Sequence, residues 1–120
     1  MWEVEFTDEF EAWWDTLSEK AQEDIAAVVE LLMKKGVHLP FPYSSKIRGY
    51  ERFSHLRELR KETDGQILRV IYAFDPRRTA ILLLGGDKRG DKGWYEKFVP
   101  IAEEIYRAHL EELKREGGGE

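Results

Sequence analysis

Arg57, Arg69 and Lys88, with Tyr95, are the residues of this sequence whose types and spacing suit work on a phosphate. Arg69 stands inside the apolar run from Ile67 to Phe74. An arginine there needs an acidic partner or a solvent-facing groove, because burying its charge alone is costly. Two readings stay open: a structural ion pair with Glu58 or Glu62, or a cation that meets a polyanion. Strand alternation puts His55, Arg57 and Leu59 on one face of a strand, and lets Arg57 and Arg69 meet as neighbours across a hairpin. Lys88 and Arg89 follow Gly85-Gly86, where glycines would let backbone amides and cations approach a phosphate; the same stretch serves equally well as a connector. Tyr95, beside Trp94, can stack on a base or hydrogen-bond a phosphate, or else anchor the last helix.

Other chemistries find no support. His38, His55 and His109 lie in three different segments without zinc-ligand spacing. The carboxylates are scattered along surfaces rather than paired for acid/base or two-metal work. No Gly-x-Ser-x-Gly elbow, nucleotide-binding Gly-Lys-Ser/Thr loop or Gly-x-Gly-x-x-Gly is present. No metal and no cofactor are expected.

Charge is unevenly placed. Twelve of the nineteen lysines and arginines, but seven of the twenty-four acids, fall between Ser44 and Lys92. That stretch carries about +5 and the remainder about −10, within a net −5. The overall charge argues against indiscriminate nucleic-acid binding, while the local asymmetry focuses positive potential on one patch. The absence of cysteine excludes disulfides and thiolate metal sites and fits a reducing compartment, with cytoplasm the default. No apolar run approaches the roughly 20 residues of a membrane span, and the acidic start lacks the basic region of a signal peptide.

These residues need elements to position them. Trp2, Val4 and Phe6 alternate with Glu3 and Glu5, which predicts an edge strand. Phe10, Trp13, Trp14 and Leu17 form one helical stripe; Ser18 offers an N-cap for a second helix through Leu32, with Gly36 as its stop. Pro40 and Pro42 mark the stretch from Val37 to Tyr43 as a connecting loop. Three strands of an antiparallel meander follow, from Ser54 to Glu62, Gln66 to Asp75 and Thr79 to Gly85, with turns at Asp64-Gly65 and Asp75-Pro76-Arg77-Arg78. The uninterrupted apolar run Ala80 to Leu84 predicts a strand covered on both faces. Pro100 predicts the start of the last main helix. One domain over residues 1–116 is expected, with a disordered tail at 117–120. The fold class is α+β: a small, antiparallel-rich twisted sheet with an N-terminal helical hairpin and a C-terminal helix.

The order of strand, helical hairpin, Leu56-Arg57-Glu58-Leu59-Arg60, Arg69-Val70-Ile71-Tyr72, apolar strand, Gly-Asp-Lys loop and terminal helix resembles the RelE/ParE toxin superfamily of type II toxin-antitoxin systems. The HigB-like, phage-derived branch is the most similar, and the resemblance runs from Trp2 to about Leu113. It implies a RelE-like fold and a ribosome-dependent, metal-independent mRNA endoribonuclease that inhibits translation and is silenced by a cognate antitoxin. Cations would replace the histidine pair of ordinary ribonucleases. Arg69 would stabilise the transition-state phosphate, Lys88 (or Arg89) would sit near the leaving oxygen, and Tyr95 would orient substrate by stacking. Arg57 and His55 would assist activation of the 2′-hydroxyl, while Lys46, Arg48, Arg60 and Arg89 would hold the RNA backbone. Two features depart from the pattern: relatives are typically basic, and position 58 is Glu where some carry lysine. The alternatives are a ParE-like poison of DNA gyrase and a noncatalytic RNA-binding or regulatory partner with a decayed site.

Overall fold

Side-chain caps start both N-terminal helices. The Thr7 hydroxyl accepts from the Phe10 amide at 3.0 Å to open α1 (Asp8–Trp14), and the Ser18 hydroxyl accepts from the Ala21 amide at 3.1 Å to open α2 (Glu19–Lys35). Each such cap contributes about 1 kcal/mol. Gly36 ends α2 at φ 55 and leads into a 3-10 turn, Gly36–His38. The position admits only glycine on two counts: a positive φ, and the indole of Trp2 lying where a Cβ would be.

The computed structural model describes residues 1–49 and 55–117. Its five strands are β1 (Val4–Phe6), β2 (Ser44–Lys46), β3 (Arg57–Thr63), β4 (Gln66–Phe74) and β5 (Ala80–Asp87), in the order β1-β5-β4-β3-β2. β1 runs parallel to β5 at one edge, and the other neighbours are antiparallel. Asp64 and Gly65 close the β3–β4 hairpin at φ 49 and 79, the left-handed geometry of a two-residue hairpin turn. α1 and α2 cover one face of the sheet and α3 (Trp94–Gly117) the other, so the molecule has two cores. Ile25, Leu32, Leu59, Leu68 and Val70 lie in the first; Leu56, Ile71, Ile81, Leu83 and Val99 lie in the second. Each fully buried aliphatic side chain contributes about 1.5–3 kcal/mol. β5 is therefore apolar throughout because it is covered twice, and a bulge at Leu83 adjusts its pairing with β4.

The α+β class, the edge strand, the helical hairpin and the meander agree with the sequence reading. Four details differ. The loop after α2 runs into an extra short strand, β2, whose three residues are too few to show a period. α3 begins at Trp94, six residues before Pro100. The helix tolerates this proline because the carbonyl it leaves unpaired, that of Glu96, is on an exposed turn, and because the buried Trp94 fixes the first turn. Gly86 and Asp87 continue β5 beyond Gly85, where the expected strand ends. Gly117 closes α3; the remainder of the expected tail, 118–120, and the expected strand start at Ser54 lie outside the described residues.

The β4–β5 turn is fixed by Asp75, whose side chain is buried. It accepts from the Arg77 guanidinium at 2.7 Å and lies 2.9 Å from His109 Nε2 on α3, while Arg77 also reaches Glu5 on β1 at 2.9 Å. Burial would raise the Asp75 carboxyl, but the hydrogen bonds from Arg77, His109 and the Thr79 amide hold it below its ordinary value. Arg77 is therefore structural, as is Arg78, which stacks over Trp2 at 5.1 Å.

Candidate functional site

Strand register decides which cations meet. Arg60 lies directly opposite Arg69, and Arg69 directly opposite Gly86. Residues paired in this way share a face, so Arg60, Arg69 and Glu58 point to the side covered by α3. Two guanidinium groups directly opposed repel, and Glu58 lies between them. Its carboxylate is 3.5 Å from Arg60 Nη1 and 3.6 Å from Arg69 Nε, and it accepts from Ser45 Oγ at 2.9 Å and Tyr95 Oη at 2.7 Å.

Arg69 is only 4% exposed. Its Nη1 donates to the Leu68 carbonyl at 2.9 Å, while Nε has no hydrogen-bond partner among the described residues. The 3.6 Å contact with Glu58 is thus an ion pair without a well-formed hydrogen bond. Gly86 makes this corner possible: a Cβ there would lie 2.7 Å from the Trp94 indole nitrogen, so the bare backbone admits the ring that seats the start of α3. Gly85, on the opposite face, similarly accommodates Trp13. The glycine pair serves packing on the two faces of β5.

Tyr95 follows Trp94 and meets it edge to face at 5.2 Å. Burial first, and then the hydrogen bond to Glu58, push its hydroxyl up to about 12, so at neutral pH it is a proton donor. Lys88 Nζ lies 5.4 Å from the centroid of the Tyr95 ring, and the Lys88 amide donates to the Ile67 carbonyl at 3.0 Å, tying the segment after β5 to β4. Asp87 braces the same segment by accepting from the amides of Ile67 and Arg89. Burial would raise its carboxyl, but these amides hold it below its ordinary value. Arg89 pairs with Asp87 at 3.2 Å and donates to the Gly65 carbonyl at 3.3 Å, bridging to the β3–β4 turn.

The cluster therefore unites Arg69, Tyr95 and Arg60 around Glu58, with Lys88 over the Tyr95 ring. It does not include Arg57. That residue lies opposite Tyr72 on the other face, where its Nε donates to Ser44 Oγ at 3.1 Å. The expected contact between Arg57 and Arg69 is thus corrected: Arg57 and Arg69 sit in pleats of opposite sense, because the hairpin turn pairs Arg60, not Arg57, with Arg69. Lys46, paired with Arg57, shares that second face, and Arg48 is exposed beyond β2. His55 precedes β3 and contacts the Tyr106 ring on α3 at 5.2 Å. Glu58, one of the two acids expected as a partner for Arg69, is the one the structure places against it, and it also joins Arg60, Ser45 and Tyr95. Its placement in the alternation of Leu56, Glu58 and Arg60 is the signal that could have found it. Among the described residues no group of three or more His, Cys, Asp or Glu could hold a metal ion.

A five-stranded sheet in the order β1-β5-β4-β3-β2, with a helical hairpin on one face and one long helix on the other, is an α+β fold of the RelE type. The isolated Escherichia coli RelE toxin superposes with TM-score 0.58 at 12% identity, covering 84% of this chain and 99% of RelE. The RelBE2 toxin-antitoxin complex of Mycobacterium tuberculosis gives 0.50 at 21%, covering 72% and 90%. Residues 12–107 match the family described as phage-derived protein Gp49-like. The M. tuberculosis protein named "Putative toxin HigB3" is 37% identical over 110 residues, 91% of this chain and 92% of that protein. The one named "Putative toxin HigB2" is 33% identical over 105 residues, 86% of this chain and 52% of that protein. The chain belongs to the Gp49-like family, is HigB-like, and has a fold of the RelE type.

Proposed function

We propose that the toxin acts by cutting mRNA on the ribosome, in the cytoplasm, and is silenced by a cognate antitoxin. The observation that carries this reading is the grouping of Arg69, Arg60 and Tyr95 about a single carboxylate, with Lys88 over the Tyr95 ring. RNA strand cleavage needs three things: a base for the ribose 2′-hydroxyl, positive charge for the pentacoordinate phosphorus, and a donor for the departing 5′-oxygen. Glu58 is the acceptor in the cluster and takes the 2′-proton. The 2′-oxygen forms its bond to phosphorus while the bond to the 5′-oxygen breaks. Arg69, with Arg60 beside it, neutralises the non-bridging oxygens as charge builds on them. Lys88 supplies a proton to the 5′-oxygen, and Tyr95 orients the nucleotide. Preorganised cations of this kind contribute roughly 100- to 1,000-fold each. The pairing of antitoxins with RelE-fold toxins, as in the RelBE2 complex, supports a protein partner for this chain.

The proximity of Glu58 to Arg69 favours one other reading, a chain that keeps the fold and binds RNA without cutting it. One experiment separates the two. The protein is expressed in a translating extract and the 5′ ends of the mRNA are mapped for wild type and Arg69→Ala. Codon-associated cuts that vanish in the variant are expected; no such cuts, or equal cutting by the variant, would overturn the proposal.

A further inference from the structure

Phe41 and Tyr43 are large aromatic residues outside both cores, 67% and 43% exposed. Their turn is held firmly. The amides of Tyr43 and Ser44 both donate to the Pro40 carbonyl, and the Arg60 amide donates to the Tyr43 carbonyl at 2.9 Å, so the turn is fastened to β3. The Arg60 guanidinium stacks over the Phe41 ring at 4.9 Å. Pro42, Tyr43, Arg60, Lys61, Glu62 and Arg69 line an open groove of about 240 Å³. That is below the roughly 300–1,000 Å³ of a drug-sized pocket and suits a flat fragment. Three cations face one acid along it, and one of those cations is the buried Arg69. The larger apolar groove, bordered by β1, α1 and α2, is rimmed instead by Glu11, Asp15 and Glu30, a setting that repels a polyanion.

We propose that Phe41 and Tyr43 form a stacking platform for one unpaired nucleobase of RNA, joined through the groove to the phosphate position at Arg69. The subsite rests on the RNA-cleavage reading and extends it, because neither ring is needed for the chemistry. Every base has a π-face, so the platform accepts any base. Loss of one stacked base weakens binding by about 5- to 150-fold. Aromatic rings beside arginine also suit a protein interface, but the excess of cations lining the groove favours a polyanion.

A short single-stranded RNA carrying thiouridine is photocrosslinked to the purified full-length protein, and the adducts are located by mass spectrometry. Adducts on the peptide holding Phe41 and Tyr43 are expected, reduced at least about fivefold in the Phe41→Ala/Tyr43→Ala double variant and restored in Phe41→Trp/Tyr43→Trp. Exposure of both rings leaves the fold of these variants intact. Adducts elsewhere only, or equal adducts in the alanine variant, would overturn the subsite, as would unchanged crosslinking with lost capture of the protein encoded by the adjoining gene. The cleavage reading stands or falls separately on Arg69→Ala: cutting lost in Arg69→Ala, with adducts absent from the peptide holding Phe41 and Tyr43, would remove the subsite and keep the reading.

Discussion

Arg60 and Arg69 face one another across β3 and β4, and the Glu58 carboxylate lies within 3.6 Å of both. A pair of opposed guanidinium groups is unfavourable alone. With one shared acid, and Lys88 beside Tyr95, the corner keeps a positive surplus, with Glu58 and Arg69 buried and Arg60 and Lys88 half-buried. An incoming phosphate would find that surplus already assembled.

Removing either member of the Glu58–Arg69 pair leaves its partner buried and uncompensated. Arg69→Ala and Glu58→Ala are each expected to lower the unfolding free energy by about 3 kcal/mol, read from urea melts. A Glu58→Leu/Arg69→Met double variant should recover most of that loss and no cleavage. Stability and activity are thereby separated. If the double variant is as unstable as the singles, the pair is not the source of the effect.

Arg57 gives the contrasting case, since it serves the other face through Ser44 and Tyr72. Arg57→Ala is expected to cost about 1 kcal/mol in stability. mRNA cutting by the folded variant should match wild type, measured at a temperature where both are native. A loss of cutting comparable with that of Arg69→Ala would place Arg57 back in the site.

Gly86→Ala introduces a methyl group into space occupied by the Trp94 ring. Overpacking of this sort costs about 1–3 kcal/mol, and the displaced ring should show altered tryptophan fluorescence. Because Tyr95 follows Trp94, cutting should fall in the same variant. An unchanged melt would show that α3 adjusts freely at its start.

Tyr95 has a hydroxyl raised from 10.0 to about 12 by burial and by Glu58. The folded chain then holds a proton that the unfolded chain releases near pH 10, so stability is full below that pH and declines as pH climbs through about 12. Tyr95→Phe lacks this decline. The stability difference between wild type and Tyr95→Phe should be constant near neutrality and shift against wild type between about pH 10 and pH 12. A difference that does not change with pH would mean that the hydroxyl is not held by Glu58.

The amino-acid sequence alone determined the α+β class, the edge strand, the capped helical hairpin and the doubly covered β5, because periodicity, caps and apolar runs are local signals. It also singled out Arg69, Lys88 and Tyr95, since a charge within an apolar run and an aromatic residue beside a basic loop are visible in one dimension. Only the tertiary structure could show that Arg60, not Arg57, opposes Arg69, because a hairpin's register is fixed by its turn and by cross-strand packing. Likewise the sequence leaves Glu58 and Glu62 equal as partners for Arg69, and ends the third strand at Gly85. Glu58 became the centre of the cluster when β2, β3 and α3 brought Ser45, Arg60 and Tyr95 to it. The glycines became packing positions when Trp13 and Trp94, distant in the chain, converged on opposite faces of one strand.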